Sequence, residues 1–366
     1  MRTALLAASA ALALGLPAFA QEAAKPAALA PSEIVAAAPR ADWVAIPAEE
    51  LLVMTLAPDA DGKPRQVVIQ LMPTPFSQGW VHNIRLFARS GWYDGISVNR
   101  VQDNYVTQWG DPNYDNPEAT GTPKPLPEGL KVMSEAEYLA PDLLAIPDPR
   151  GRPRMNYALG ATIIRNAMIA TNGGVTVPEA FRQALQSGTP PANQEPPRLG
   201  DAYADFVTLA LGWPLGGTVG EEGNPFWPVH CYGMVGVGRN YSPDTGSGAE
   251  LYTVIGHAPR HLDRNIALVG RVIEGMEHLS SLPRGSGALG FYTAAENAKR
   301  TAIISVRVAS HMPTGEQPRF EYLSTESATF AAYAEAIANR RDPFFITPAG
   351  GADICNIKVP VRRVAG

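Results

Sequence analysis

The sequence has only two cysteines, no excess of positive charge and no apolar run long enough to cross a membrane. Its 30 Lys and Arg residues are outnumbered by 35 Asp and Glu residues, which gives a formal net charge of -5. A nucleic-acid partner would require a basic surface, so this balance argues against one. The N-terminal apolar run is shorter than the ~20 residues that span a bilayer, and no lipid-attachment cysteine follows it, so we predict no membrane anchor.

The N-terminal segment MRTALLAASAALALGLPAFA is typical of a cleaved secretory signal peptide. Arg2 precedes a short Ala/Leu run, and a small-x-small sequence ends the segment at Ala20. We therefore predict cleavage after Ala20 and a periplasmic or secreted protein. Residues 21–42 are rich in Ala and Pro with little periodicity, which predicts a flexible leader, with order beginning near Trp43.

Cys231 and Cys355 are the two cysteines. Export to an oxidising compartment favours a disulfide between them, and two buried thiols are the alternative. A disulfide would tie the C-terminal tail to the core.

Short runs with strand character outnumber helical patterns along the chain. The strand-like runs lie at 51–57, 65–72, 232–238, 249–256, 266–273, 301–309 and 356–363. Helical patterns lie at 76–90, at 274–282 and through Phe330, Tyr333 and Ile337. Many short strands with few helices indicate a closed barrel or a sandwich.

The region between about 113 and 228 has a different texture, because frequent prolines break its first part into loops. It contains helical patterns at 154–171 and 179–186 and an apolar run at 204–213. A segment of this length is too long for a loop, so we predict a small, partly helical insertion. The insertion would either extend substrate binding or shield a surface.

Generic catalytic motifs give little support to other chemistries. GSGALG, residues 285–290, formally matches a dinucleotide-binding pattern, but no strand precedes it and we interpret it as a turn. His257 and His261, with Asp263 beside them, are separated by Ala-Pro-Arg, which makes a shared helical face improbable, and no third imidazole is near in sequence. They are better explained as polar loop residues. The chain has no G-x-S-x-G motif. We therefore predict no metal and no cofactor.

Two blocks of the sequence resemble the cyclophilin-type peptidyl-prolyl isomerases. In residues 67–112, a strand is followed by a helix, an aromatic-Asp-Gly turn, a strand ending in Arg and an aromatic-x-x-Gln-x-Gly-Asp run. YGMVGVGR (232–239) and residues 248–279 resemble the family's second block, in which a Gly-Ser-Gln-Phe-Phe-Ile strand leads to a Leu-Asp-Gly turn and a Phe-Gly-Arg-Val strand. The matched blocks span Leu51–Pro112 and Tyr232–Leu282.

This resemblance implies a mainly β fold: a closed antiparallel eight-stranded barrel, capped by helices near 76–90 and 274–282, with the site on its outer face. The barrel domain would occupy residues 43–310 and be interrupted by the insertion. Residues 311–366 would form a C-terminal helix and tail packed on the barrel.

The resemblance also implies a set of site residues. Arg100 matches the family's catalytic arginine, and Gln108 matches its active-site glutamine. The implied substrate-binding positions, comprising pocket residues and a backbone clamp, are Tyr105, Val106, Gly238, Arg239, Glu250, Tyr252, His261, Leu262 and Ile266.

Three positions depart from the family's pattern. Asn99 stands where a histidine is common, Glu250 where the strand usually carries glutamine, and Ile266 where the pocket often has histidine or tyrosine. A carboxylate at position 250 that reached Arg100 would hold the guanidinium in a salt bridge and compete with substrate. With these departures, the isomerase activity that the resemblance implies is either retained, weakened or lost.

The implied reaction suits these residue types. Rotation about an X-Pro bond faces a barrier of about 20 kcal/mol from amide resonance, and a guanidinium can stabilise the twisted state without proton transfer. Taken alone, Arg100 is better explained as a solvated charge or as a partner of Asp94 or Asp111, so the joint order of site residues carries the prediction. We expect isomerisation of proline-containing polypeptides. The alternatives are a catalytically silent peptide-binding or holdase module and an unrelated barrel that binds a small ligand such as a sugar.

Overall fold

The computed structural model describes residues 28–141, 143, 166, 201–218 and 223–364. The strands of these ranges are β1 (Trp43–Ala45), β2 (Leu51–Leu56), β3 (Arg65–Leu71), β4 (Ser97–Val101), β5 (Val106–Gly110), β6 (Phe206–Ala210), β7 (Trp213–Gly217), β8 (Phe226–Pro228), β9 (Met234–Val237), β10 (Leu251–Val254), β11 (Leu268–Glu274), β12 (Ile303–Val308), β13 (Phe320–Leu323) and β14 (Val361–Arg363). Their α-helices are α1 (Pro31–Ala36), α2 (Gln78–Arg89), α3 (Glu277–Ser280) and α4 (Ala328–Ala338). Short 3-10 turns occur at Arg40–Asp42, Ala48–Glu50, Glu135–Tyr138, Arg260–Leu262, Ala288–Gly290, Ala294–Lys299, Ala309–His311, Thr314–Glu316 and Ile354–Asn356.

Eight strands form one antiparallel sheet in the order β12-β2-β3-β11-β9-β10-β5-β4. The two edge strands meet, because the Ile303 amide donates to the Ile96 carbonyl at 2.8 Å and the Val98 amide donates to the Thr301 carbonyl at 2.9 Å. These bonds join the two edges and close the sheet on itself. The predicted eight-stranded antiparallel barrel is therefore confirmed.

Strand β2 is buried on both faces, which explains its uninterrupted apolar sequence. Leu52 and Met54 belong to the main core. Leu51 and Val53 pack on the opposite side of the strand, in a second cluster with Phe320 of β13. The C-terminal segment therefore covers the outer face of this part of the barrel, through a small antiparallel sheet of order β1-β13-β14.

Helix α2 buries one apolar stripe, formed by Trp80, Ile84, Phe87 and Ala88, in the main core. It lies within the predicted helix 76–90. Helix α3 is shorter than the helix predicted at 274–282, because β11 runs through Glu274, which still pairs with β3.

Ordered structure begins nearer to the N-terminus than the sequence predicted. Residues 31–36, within the segment interpreted as a flexible leader, form α1, and Ile34 and Val35 pack against the main core. These two apolar side chains outweigh the Ala/Pro-rich composition around them. The signal-like residues 1–20 lie outside the described residues.

The described part of the predicted insertion contains an antiparallel sheet of order β6-β7-β8. The sequence did not predict these strands. The helical patterns at 154–171 and 179–186 lie outside the described residues, apart from Asn166. None of the helices in the described ranges combines the length and the apolar character that spanning a membrane requires.

A disulfide joins Cys231, which precedes β9, to Cys355 in the C-terminal segment. It ties the C-terminal segment that covers the barrel to the connection between β8 and β9. The predicted pairing of the two cysteines is present in the structure.

Replacing both cysteines with serine is predicted to lower the free energy of unfolding by about 4–5 kcal/mol, because the bond closes a loop with a sequence separation of 124 residues. Urea denaturation measures the change. Since these are the only cysteines in the chain, wild type in excess reductant should match the double variant. Equal midpoints for oxidised wild type and the variant would contradict this prediction.

Candidate active site

Arg100 and Gln108 lie opposite each other on β4 and β5. The register between the two strands shifts between Val98 and Arg100, so that Asn99 is an extra, bulged residue. Val98 and Val101 both belong to the main core although they are three residues apart. A regular strand alternates its faces every residue, so the bulge is what brings Arg100 to the outer face beside Gln108.

Asn99 is buried, and its side chain holds the bulge together. Its Nδ2 donates to the Gly110 carbonyl at 3.0 Å, and its Oδ1 accepts from the Ser97 hydroxyl at 2.7 Å. The residue that departs from the family's pattern therefore has a structural role in β4.

The Arg100 guanidinium is fixed by three hydrogen bonds. Nε donates to the Leu289 carbonyl at 2.7 Å, Nη1 donates to Gln108 Oε1 at 3.1 Å, and Nη2 donates to Gln102 Oε1. The guanidinium carbon also lies 5.6 Å from the ring centre of Tyr105 and 5.5 Å from that of Phe291.

Partial burial lowers the pKa of Arg100 from its ordinary value, against the opposing effects of Tyr105 and Tyr252. An arginine remains protonated at neutral pH after such a shift. The site therefore presents a permanent cation with a restricted orientation.

The glycine-rich segment 285–291 forms one side of this arrangement, and it is a turn, as the sequence predicted. Leu289 has a positive φ of 55° and an exposed side chain, and its carbonyl faces Arg100. Gly290 has a φ of 82°, and a Cβ there would lie 2.8 Å from the Cα of Gln102. The contribution of this turn to the site was missed, because the G-x-G-x-x-G pattern indicated a tight turn but not which strand it would contact.

An apolar cluster lies on the outer face of the barrel, separate from the main core. Its members, here called the outer cluster, are Tyr105, Val106, Tyr252, Val254 and Ile266. Strand register explains the association, since Tyr252 pairs with Gln108 and Val254 pairs with Val106. Four of the five were predicted from the sequence, and Val254 was missed.

Glu250 is 4% exposed and interacts with Arg100 only through Gln108. The Gln108 amide donates to Glu250 Oε2 at 3.3 Å, while its carbonyl accepts from Arg100. The salt bridge considered from the sequence is thus replaced by a chain of two hydrogen bonds. Burial raises the pKa of Glu250 well above its ordinary value, the Gln108 bond opposes this, and Asp115 and Asp111 add to it. Oε1 of Glu250 has no hydrogen-bond partner among the described residues.

The remaining predicted residues surround this core of the site. Gly238 continues β9 and donates its amide to the Glu250 carbonyl at 2.8 Å, and a Cβ at Gly238 would lie 3.5 Å from Gln108 Nε2. The Arg239 side chain bonds to the carbonyls of Asn265 and Asn240. Leu262 is half-buried in the turn before Ile266, whereas His261 in the same turn is exposed.

A buried polar chain behind Tyr252 was not predicted. The Tyr252 hydroxyl lies 2.9 Å from Nε2 of His230, whose Nδ1 lies 2.8 Å from Asp263 Oδ1. Asp263 Oδ2 accepts from Arg260 Nε at 2.6 Å. No periodic pattern in the sequence indicates His230, because only tertiary packing brings it into this series of hydrogen bonds.

The other candidate motifs do not form a metal cluster in the described ranges, where no three His, Cys, Asp or Glu side chains are suitably grouped. The His257 amide donates to Asn104 Oδ1 at 3.0 Å, and Asp263 is engaged by His230 and Arg260. These residues therefore serve turns and the buried polar chain.

Residues 64–308, well over half of the chain, match the family described as cyclophilin type peptidyl-prolyl cis-trans isomerase/CLD. Among solved structures, the cyclophilin AquaCyp293 from Hirschia baltica has a TM-score of 0.55 and 16% sequence identity, and the alignment covers 88% of this chain and 93% of that one. This likeness shows a shared fold.

A cyclophilin type peptidyl-prolyl cis-trans isomerase from Cryptosporidium parvum, in the presence of the dipeptide Ala-Pro, aligns with a TM-score of 0.31 and 9% identity, over 70% of this chain and 97% of that one. A score this low supports no argument about this chain. No curated protein matches the sequence significantly.

Replacing Glu250 with glutamine is predicted to stabilise the protein at neutral pH. A carboxyl with a raised folded-state pKa stabilises the fold below its unfolded pKa, and this contribution is lost as the pH rises through the folded-state value. The glutamine variant has no carboxyl to ionise, so its urea midpoint should exceed that of wild type at neutral pH. The difference should shrink as the pH falls towards 4.5 and should stay small below it. Glu277→Gln, which removes a largely exposed charge, is the control. A midpoint difference for Glu250→Gln that does not vary with pH would refute the prediction.

Replacing Gly290 with alanine is predicted to cost about 1–3 kcal/mol of stability, because its Cβ would meet backbone at a positive φ. The displaced turn should also lose the bond between Leu289 and Arg100, which the Nε–Hε NMR resonance of Arg100 reports. Gly315→Ala is the matched control, since a Cβ there meets nothing within 4 Å. An unchanged Arg100 resonance in Gly290→Ala would show that the turn does not restrain the guanidinium.

Proposed function

Since the chain belongs to the cyclophilin-type peptidyl-prolyl cis-trans isomerase family, we propose that it catalyses cis-trans isomerisation of X-Pro bonds in exported polypeptides. One observation carries the proposal: the Arg100 guanidinium lies beside the outer cluster on an accessible face of the barrel. The substrate would place its proline ring against the cluster and its imide bond next to Arg100.

Catalysis of this reaction requires stabilisation of a twisted imide. In that state the nitrogen loses its conjugation with the carbonyl and regains a lone pair, so a positioned donor lowers the barrier of about 20 kcal/mol. No bond to the protein is formed and no proton is transferred. The proposed reaction therefore needs no cofactor.

Arg100 retains donors for this purpose. A guanidinium carries five N–H groups, and one on each of its three nitrogens is engaged by Leu289, Gln108 and Gln102. One N–H on each terminal nitrogen remains for the imide nitrogen or the neighbouring carbonyl. The three existing bonds hold the guanidinium in place before substrate binds, which reduces the reorganisation that the reaction requires.

The outer cluster would supply the apolar environment. Val106, Tyr252 and Val254 are buried beneath the half-buried side chains of Tyr105 and Ile266. A proline ring packed here would exclude water and strengthen the polar contacts of Arg100. Gln108, with backbone at Gly238 and Arg239 and the neighbouring Leu262 and His261, would contact the peptide on either side of the bond.

A second candidate, a catalytically silent peptide-binding module on the same barrel, is favoured by the engagement of Arg100 and by Glu250. A substrate that needed the proton donated to Gln108 would have to displace that bond, which Glu250 supports from behind. Binding of a proline peptide without acceleration of its isomerisation would distinguish this candidate from the isomerase.

We also propose that the protein acts in the periplasm or outside the cell. The signal-like sequence of residues 1–20 and the disulfide between Cys231 and Cys355 support this proposal, because such bonds persist in oxidising compartments.

Replacing Arg100 with alanine is predicted to reduce kcat/KM roughly 10²–10³-fold, the usual effect of removing one preorganised donor. Arg100→Lys should recover only part of the rate, because lysine keeps the charge but not the planar fork. A protease-free isomerisation assay on an Ala-Ala-Pro-Phe peptide measures the rates. Arg65→Ala, on β3, is the matched control.

Equal rates for wild type and Arg100→Ala would reject the catalytic assignment. If neither protein accelerates the reaction above its uncatalysed rate but both bind the peptide in an NMR titration, the peptide-binding module is the correct function.

A further inference from the structure

His230 connects the segment inserted into the barrel with the outer cluster. It follows β8 directly and is fully buried. Its Nε2 lies 2.9 Å from the Tyr252 hydroxyl, and the imidazole and phenol rings are nearly parallel, with an interplanar angle of 12°. His230 therefore contacts the polar end of the side chain whose ring belongs to the outer cluster.

The direction of each hydrogen bond follows from the surroundings of His230. Asp263 Oδ1 accepts from the His230 backbone amide at 2.9 Å and faces Nδ1 at 2.8 Å, so Nδ1 carries a proton. Burial lowers the pKa of His230, against the opposing effect of Asp263, so the ring is neutral at pH 7. Nε2 is consequently an acceptor, and the Tyr252 hydroxyl donates to it.

The inserted segment also holds the turn that borders the outer cluster. Arg260 forms two 3.0 Å bonds to the carboxylate of Asp201 and lies 5.1 Å from the ring centre of Tyr203. Arg264 lies 4.8 Å from the ring centre of Trp227 on β8. Residues that precede β6 and a residue of β8 thus engage the turn that leads to Ile266.

We propose that this inserted segment positions the proline-binding face, and that His230 is the positioning residue that fixes the Tyr252 ring in the outer cluster. The inference rests on the proposed function, since the proline-binding face is defined by it. His230 does not touch the substrate and acts through Tyr252.

The geometry around the Tyr252 hydroxyl explains why a partner is required. The ring lies across Gly236 of β9, where a Cβ would come within 2.3 Å of the hydroxyl oxygen. Tyr252 is 4% exposed, so its hydroxyl cannot turn to water in place. Without His230 the buried hydroxyl would be unpaired, at a cost that favours displacement of the ring.

A double-mutant cycle tests the inference with affinity for an Ala-Ala-Pro-Phe peptide, measured by NMR titration of the full chain. His230→Leu is expected to raise Kd about tenfold, or about 1.4 kcal/mol. Tyr252→Phe should also raise Kd, because the buried Nε2 of His230 then lacks its donor. The double variant should bind more tightly than His230→Leu, since neither a buried hydroxyl nor a buried imidazole then lacks a partner.

Two controls separate positioning from general stability. Tyr333→Phe removes another buried tyrosine hydroxyl bond, to the Lys358 carbonyl at 2.8 Å, in the C-terminal segment. His278→Leu replaces a histidine on α3. Both should leave Kd unchanged, and urea midpoints of all variants should show that they are folded under the conditions of the titration.

The possible outcomes are distinguishable. An unchanged Kd for His230→Leu, or a double variant that binds no better than His230→Leu, overturns the positioning role of His230. Wild type that binds peptide without isomerising it overturns only the proposed catalysis, and the cycle in Kd still decides the inference. Wild type that neither binds nor isomerises the peptide overturns both.

Discussion

The bulge at Asn99 is the constraint on which the arrangement at Arg100 depends. One extra residue in β4 turns the guanidinium from the barrel interior to the outer face, opposite Gln108. The bulge in turn depends on the buried amide of Asn99, which bonds to Gly110 and Ser97. A fixed cation is tolerated in an apolar strand because its polar end leaves the core while Val98 and Val101 remain inside it.

Restraint of polar groups by their neighbours is the common theme of the candidate site. Three backbone or amide oxygens hold Arg100, Gln108 links it to the buried carboxyl of Glu250, and His230 holds Tyr252. Such chains have low tolerance for the loss of one member, because the remaining polar atom is left without water or a partner. One oxygen of Glu250, Oε1, has no hydrogen-bond partner in the part of the chain that the structure describes.

Two additions to the barrel, the C-terminal segment and the inserted segment, contact different parts of its surface. The C-terminal strand β13 and its neighbours cover the outer side of β2. The inserted segment holds the turn beside the outer cluster, through Asp201 before β6, which binds Arg260, and Trp227 on β8, which contacts Arg264. The disulfide between Cys231 and Cys355 connects these two additions directly next to His230.

The sequence by itself determined most of the barrel strands, α2 and α4, because period-two and period-3.6 patterns are local properties of the chain. The order of its cyclophilin-like motifs indicated most of the outer cluster, and export to an oxidising compartment favoured pairing of the two cysteines. The sequence did not predict that ordered structure begins at α1, that β6–β8 form a sheet, or that α3 is short. In these places, packing and pairing with distant segments override the local composition. Only the tertiary structure decided that Leu289 faces Arg100, that Gln108 separates Arg100 from Glu250, and that His230 lies behind Tyr252. Each of these contacts joins residues far apart in sequence, so their geometry is set by strand register and by the bulge rather than by any spacing along the chain.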